Sequence, residues 1–340
     1  MWDTISIVNP ANDARRAWLL ISLAMAILFA SDVHAQQPFS AAISGYLTAG
    51  CYFLASPVYI PSAEWVVSAY PRTFPTWTDD VRAIDSADGQ NVFAVLRTYS
   101  SVQIVKLDFH AAYPNKSRQP FFEGLPGYQA LDGFAVARNG RVFAAVASSG
   151  ESRLAVITSS GALESLLNVT ITGNMAVAAD GCTLFFGDRN TIRRVNGCTG
   201  ASLPSFVSLD RYVTDVAVLS NGNVLATGNN ALLQFDAAGN LVRTFAIRAI
   251  QDLNLEGVAV SPNERAVVVA AMAGCDSRGE IIALSMSDGN ELWRRETAFI
   301  STATGVVVGA DVTPIPGLSG FSLLVFAVAL AAIGLAACRT

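Results

Sequence analysis

The chain has 340 residues, of which 52% are hydrophobic and 14% charged, whereas an ordinary soluble domain carries about 25% charged residues. This composition excludes a disordered, solvating chain and supplies enough apolar material for a large core. With 22 Lys+Arg against 27 Asp+Glu, the net charge of −5 argues against gripping phosphates, so nucleic acid is not an expected partner.

The first element is an address. Arg15 and Arg16 precede an apolar run over 17–30, and Ser31 to Ala35 follow, with small residues at Val33 and Ala35. A basic start, a short apolar stretch and a small-x-small exit predict a secretory signal helix over 1–35, leaving Gln36 as the mature start. The run is shorter than the roughly 20 residues a membrane span needs. An uncleaved signal anchor is the rival reading.

The middle of the chain repeats. Five stretches align without gaps: 83–89 (AIDSADG), 134–140 (FAVARNG), 175–181 (MAVAADG), 216–222 (VAVLSNG) and 258–264 (VAVSPNE). Each is a small apolar strand followed by a turn, with Asp-Gly or Asn-Gly in four of the five. Those dipeptides tolerate positive φ and close tight hairpins. The spacings are 51, 41, 41 and 42 residues. A second strand follows each turn, at 91–96, 141–147, 183–186, 223–227 and 266–271. Third strands are predicted at 103–107, 153–158, 191–195, 231–235 and 280–284, and fourth strands at, for example, 240–245 and 291–294.

Four short strands in every 40-odd residues mark β-propeller blades. Runs such as 266–270 (AVVVA) are apolar on both faces, which suits sheets covered on both sides. Helical periodicity is absent from this region. Residues 36–314 are therefore expected to be an all-β propeller. Residues 305–309 read as a lone first strand, and 51–56, 58–60 and 64–69 as the three strands of a unit lacking its first. Joined, they would complete six blades and remove the unpaired edges of an open chain of sheets. Seven blades is the second count, because residues 36–50 and the long first spacing leave slack.

Cys182 and Cys198 bracket a hairpin centred on 188–190. Opposed strand positions have Cα atoms about 4.5–5.5 Å apart, which overlaps disulfide geometry, so these two are expected to be bridged. Cys51 and Cys275 lie in the same exported part, and their state is left open. Outside residues 1–35 the only histidine is His110, so a Ser-His-Asp triad would have to use it, and a histidine-based metal cluster is excluded by count. Nothing near His110 suggests catalysis.

One constellation could carry chemistry. Asp132, Asn174, Asp215 and Glu256 stand just before the first strands of four repeats. First strands line a propeller's central channel, so these oxygen donors could converge at one of its mouths. No cofactor is expected, but such a ring would suit Ca²⁺ or Mg²⁺. The stretches 132–136 (DGFAV), 174–177 (NMAV) and 256–260 (EGVAV) are similar to the senescence-marker and gluconolactonase propellers. That resemblance implies a catalytic divalent metal. Asp132 and Glu256 sit one place earlier than Asn174 and Asp215, and Asp and Asn also favour such positions for purely local hydrogen bonding.

The C-terminal element is a second address. Residues 315–320 (IPGLSG) precede an uncharged run over 321–338, then Arg339 and Thr340. Eighteen helical residues span about 27 Å, close to a bilayer's hydrocarbon thickness. A transmembrane helix is expected over this run, with Arg339 on the cytoplasmic side. The order of Pro/Ser motif, span and terminal Arg resembles bacterial IPTL/PEP-type sorting tails, with IPGLS for IPTLS and one basic residue where several are usual. The resemblance implies a sorting protease as a partner, an envelope or cell-surface location, and release after cleavage. A plain anchor is the rival.

Residues 181–200, with Gly181, Cys182, Ile192 to Val195 and Cys198, resemble a blade of secreted bacterial propellers with NHL- or quinoprotein-like repeats and such tails. Residues 288–294 (DGNELWR) are similar to a quinoprotein-like repeat, in a single copy that implies no quinone cofactor. The expected function is a non-enzymatic, membrane- or surface-held module that binds a protein or glycan. The alternative is a metal-dependent lactonase or esterase using Asp132, Asn174, Asp215 and Glu256.

Overall fold

A computed structural model of the protein describes residues 40–48, 59–67, 81–88, 91–97, 101–108, 118–247, 253–273, 278–298 and 302–308. All lie in one compact unit, Phe39–Ala310. Among the described residues every regular element is a strand.

Five sheets of four antiparallel strands follow one another along the chain. Blade one holds β3 (Val81–Asp85), β4 (Asn91–Arg97), β5 (Val102–Asp108) and β6 (Arg118–Phe122). Blade two holds β7 (Gln129–Val136), β8 (Val142–Ser148), β9 (Glu151–Ile157) and β10 (Leu163–Leu167). Blade three holds β11 (Met175–Val177), β12 (Thr183–Asp188), β13 (Thr191–Asn196) and β14 (Ser202–Ser208). Blade four holds β15 (Asp215–Val218), β16 (Val224–Gly228), β17 (Ala231–Phe235) and β18 (Leu241–Phe245). Blade five holds β19 (Leu253–Val260), β20 (Ala266–Ala273), β21 (Arg278–Ser285) and β22 (Glu291–Ala298).

The first strands of successive blades lie against one another around a common axis, β3 beside β7, then β11, β15 and β19. Alternation along each second strand shows what drives the stacking. In β20, Val267, Val269 and Ala271 pack with Leu225 and Leu232 of blade four, while Val268 and Ala270 join Ile281 and Ala283 on the opposite face. In β8, Phe143 and Ala145 face blade three, and Val142, Ala144 and Val146 face blade one. Each fully buried Val, Leu, Ile or Phe contributes about 1.5–3 kcal/mol, so neither face of these sheets can be left to water. The turns use the expected chemistry: Gly140, Gly181 and Gly222 hold φ of 81°, 71° and 84° after the first strands.

The blade count differs from the sequence expectation. Among the described residues the propeller has five four-stranded blades, neither six nor seven. The ends of the unit form a three-stranded sheet, ordered β2 (Tyr59–Val67), β1 (Ser40–Thr48) and β23 (Thr302–Val308). Its β23 lies between β19 and β3, so a sheet of three described strands fills the gap between the last and first four-stranded blades. The partner of β23 also differs from expectation, with Ile43 opposite Val306 and Ala42 opposite Val307. Residues read as slack before position 50 supply that strand, with β1 pairing antiparallel to β2 on one side and to β23 on the other. Residues 51–56, the expected partner, lie outside the described residues.

The signal helix over 1–35 and the transmembrane helix over 315–340 also fall outside the described residues. Among those described, no helix is long and apolar enough to cross a membrane.

Candidate functional site

The axis is lined by short first strands whose inward positions are small and apolar: Val136, Val177, Val218 and Val260 occupy the third place of the repeat. Blade one places Asp85 there instead. Its Oδ2 accepts the backbone N–H of Val136 at 2.7 Å, and its Oδ1 that of Ser86 at 2.7 Å. Blade one is thereby tied to blade two. Blade four repeats the device at a different level, where Asp215 Oδ2 accepts Val258 N–H at 2.8 Å and Oδ1 accepts Val216 N–H at 2.8 Å. Thr214, beside it, donates to the Leu255 carbonyl at 2.5 Å and ties the same two blades.

Asp215 is 5% exposed, whereas Asp85 keeps an edge along the axial cavity. Burial pushes the Asp215 carboxyl up to about 8, opposed by the Val258 and Val216 amides and an Asn174 side-chain hydrogen bond, and reinforced by the Asp85 charge. Burial likewise lifts Asp85 to about 6 against its two amides. A carboxyl in low dielectric favours its neutral form unless enough donors face it.

The structure thus brings together two of the four residues singled out in the sequence, Asn174 and Asp215, which line an axial cavity of about 250 Å³ with Asp85. Glu256 is not part of that lining. It lies at a β-bulge, where the register of β19 slips between Leu255 and Gly257, and burial raises its carboxyl above the usual range. Asp132 lies in the equivalent irregular stretch of β7, between Ala130 and Phe134. For Asp132 and Glu256 alike, the one-place offset in sequence coincides with a backbone irregularity. Among the described residues no three His, Cys, Asp or Glu side chains converge as a metal site would require. His110 lies outside the described residues.

Sequence reasoning passed over Asp85. The legible signal was a carboxylate at a repeat position that is Val in the other four copies.

Away from the axis, Cys182 and Cys198 form the expected disulfide, with Cα atoms 5.3 Å apart. The guanidinium of Arg141 from blade two lies 3.1 Å from Cys198 Sγ. It is held there by both oxygens of Glu164, at 2.9 and 3.0 Å. Cys51 and Cys275 lie outside the described residues. At the end of the axis carrying the first-strand turns, a second cavity of about 420 Å³ opens between blades one and two, lined by Asp88, Asn91, Lys106 and Arg138 among others.

Four-stranded antiparallel sheets set around a common axis, first strands innermost, define a β-propeller. Residues 78–333 match the PQQ-type repeat family described as outer membrane protein assembly factor BamB, and the chain belongs to that family. No curated protein matches. Among solved structures, a Bacteroides caccae protein of unknown function aligns with a TM-score of 0.58 at 10% identity, covering 80% of this chain and 98% of that one. A chain of a nidogen/laminin complex aligns with a TM-score of 0.57 at 8% identity, covering 80% and 99%. At such identities the likeness is one of fold alone.

Proposed function

We propose that this chain is a non-catalytic interaction module of the cell envelope, exported by residues 1–35, held by residues 315–340, and offering its turn face to a protein or glycan. The observation that carries this reading is the use made of the axial carboxylates. Both oxygens of Asp85 and both of Asp215 accept backbone amides, three of the four bonds being those to Val136, Val216 and Val258 on first strands. Two of these bonds run from one blade to the next, from Val136 to Asp85 and from Val258 to Asp215, so the carboxylates are engaged in holding blades in place. The family's description as an assembly factor supports a role through contacts rather than turnover. Cavities and charged side chains meet on the turn face, where a rigid scaffold can present variable loops.

A photo-crosslinking residue at Asn221, exposed on that face, tests this against one at Val242 on an outer edge strand, in the native cell. Saturable crosslinking to one species from Asn221 and none from Val242 is expected, with no turnover of esters or lactones by the purified propeller. Chelator-sensitive lactone hydrolysis would replace this reading with the metal-dependent alternative.

A further inference from the structure

We propose that Glu264 is a strap across one mouth of the axial channel and controls the entry of solutes to the cavity. Its position is the first reason. Glu264 occupies the turn place that is Gly in the other four repeats, yet it adopts the same left-handed backbone, with φ of 55°. That conformation disfavours any residue with a Cβ, and a strained residue persists where surrounding contacts hold it. The contacts are the second reason. From blade five the Glu264 carboxylate reaches blade four, accepting Ser220 N–H at 2.6 Å and Ser220 Oγ–H at 2.8 Å. It also meets Arg138 of blade two at 3.4 Å. Glu264, Ser220 and Arg138 all line the cavity whose interior carries Asp85, Asn174 and Asp215.

Neighbouring blades four and five and blade two across the ring are therefore bridged by one side chain over the opening. The Ser220 bonds are charge-assisted and short, while the Arg138 arm, 61% exposed, is the weaker one. The strap can consequently release blade two first and swing on its blade-four anchor. This device stands whether or not the turn face binds a partner.

Glu264→Gly tests it cleanly, because the variant restores the residue of the other repeats and relieves the backbone while removing the strap. Met175 lines the cavity at 5% exposure and reports entry through its oxidation by hydrogen peroxide, with half-buried Met286 outside the cavity as reference. The expected result is a several-fold faster conversion of Met175 to the sulfoxide in Glu264→Gly, an intermediate rate in Arg138→Gln, and unchanged Met286. Equal Met175 rates in wild type and Glu264→Gly would overturn the proposal, as would a parallel rise at Met286, which would mean general loosening instead of an opened mouth.

Discussion

Asp85 and Asp215 show how single side chains organise a ring of sheets. Adjacent first strands touch without exchanging ladder hydrogen bonds, and each carboxylate supplies what the ladder cannot, an acceptor for an amide of the next blade. With the carboxyl neutral, such a hydrogen bond contributes about 0.5–1.5 kcal/mol. The same burial that makes the tie strong lifts both carboxyls, to about 6 and about 8. The folded state then holds protons more tightly than the unfolded chain, so the stabilisation is complete below about pH 4 and is lost as pH rises through those values. The melting temperature should fall between pH 4 and pH 8, and Asp215→Asn should flatten the part of the decline above pH 6. An unaltered profile in Asp215→Asn would show that this carboxyl does not titrate in that window. Of the two, Asp215 was legible from its place before a strand. Asp85 left a signal in the repeat alignment, a carboxylate where the other copies have Val, but its tie to Val136 is visible only once its partner on another blade is seen.

Among the elements, the hairpin of β12 and β13 is the most informative. The two-residue turn at Arg189 and Asn190, with Arg189 at φ 57°, sets Thr183 opposite Asn196. Gly197 N–H, and not Cys198, therefore meets the Cys182 carbonyl, at 2.7 Å. The register is one residue away from the symmetrical pairing counted in the sequence. The disulfide forms because the chain turns sharply after β13, where Gly200 N–H returns to the Asn196 carbonyl at 2.7 Å, and swings Cys198 back. Closing a loop of about 15 residues stabilises by about 3 kcal/mol, so the Cys182→Ser/Cys198→Ser double variant should lose about that amount in urea unfolding. Equal midpoints would mean that the Arg141 and Glu164 packing alone holds this corner. Second and third strands of the blades follow the predicted limits to within about two residues, as at β17 (Ala231–Phe235) and β20 (Ala266–Ala273), whereas β7, β19 and β22 run four or five residues beyond them. Alternation of side chains and turn glycines are local properties, and they suffice for that.

For the molecule as a whole, closure is decided by the sheet of β2, β1 and β23. With β23 lying between β19 and β3, the two end blades are each covered on the side that would otherwise face solvent. Ending the chain at Ile300 removes β23, uncovers the first strands of both end blades, and should lower the urea midpoint and cause self-association in size-exclusion chromatography. A monomer of unchanged midpoint would show that the five blades hold their ring without that strand.

The all-β class, the propeller architecture, the strand periods and the cysteine pair were all readable in the linear chain. Each rests on spacing along the backbone, on glycine's access to positive φ, or on apolar residues two apart. The blade number was not readable, because a strand at 40–48 and another at 302–308 become neighbours only when the chain returns on itself, and pairing across such a distance leaves no local pattern. The same holds for the axis. Asp132 and Glu256 stand at irregularities where β7 gains two residues and β19 one over their partner strands, and the tie from Asp85 to Val136 or the strap from Glu264 to Arg138 exists only where blades come together.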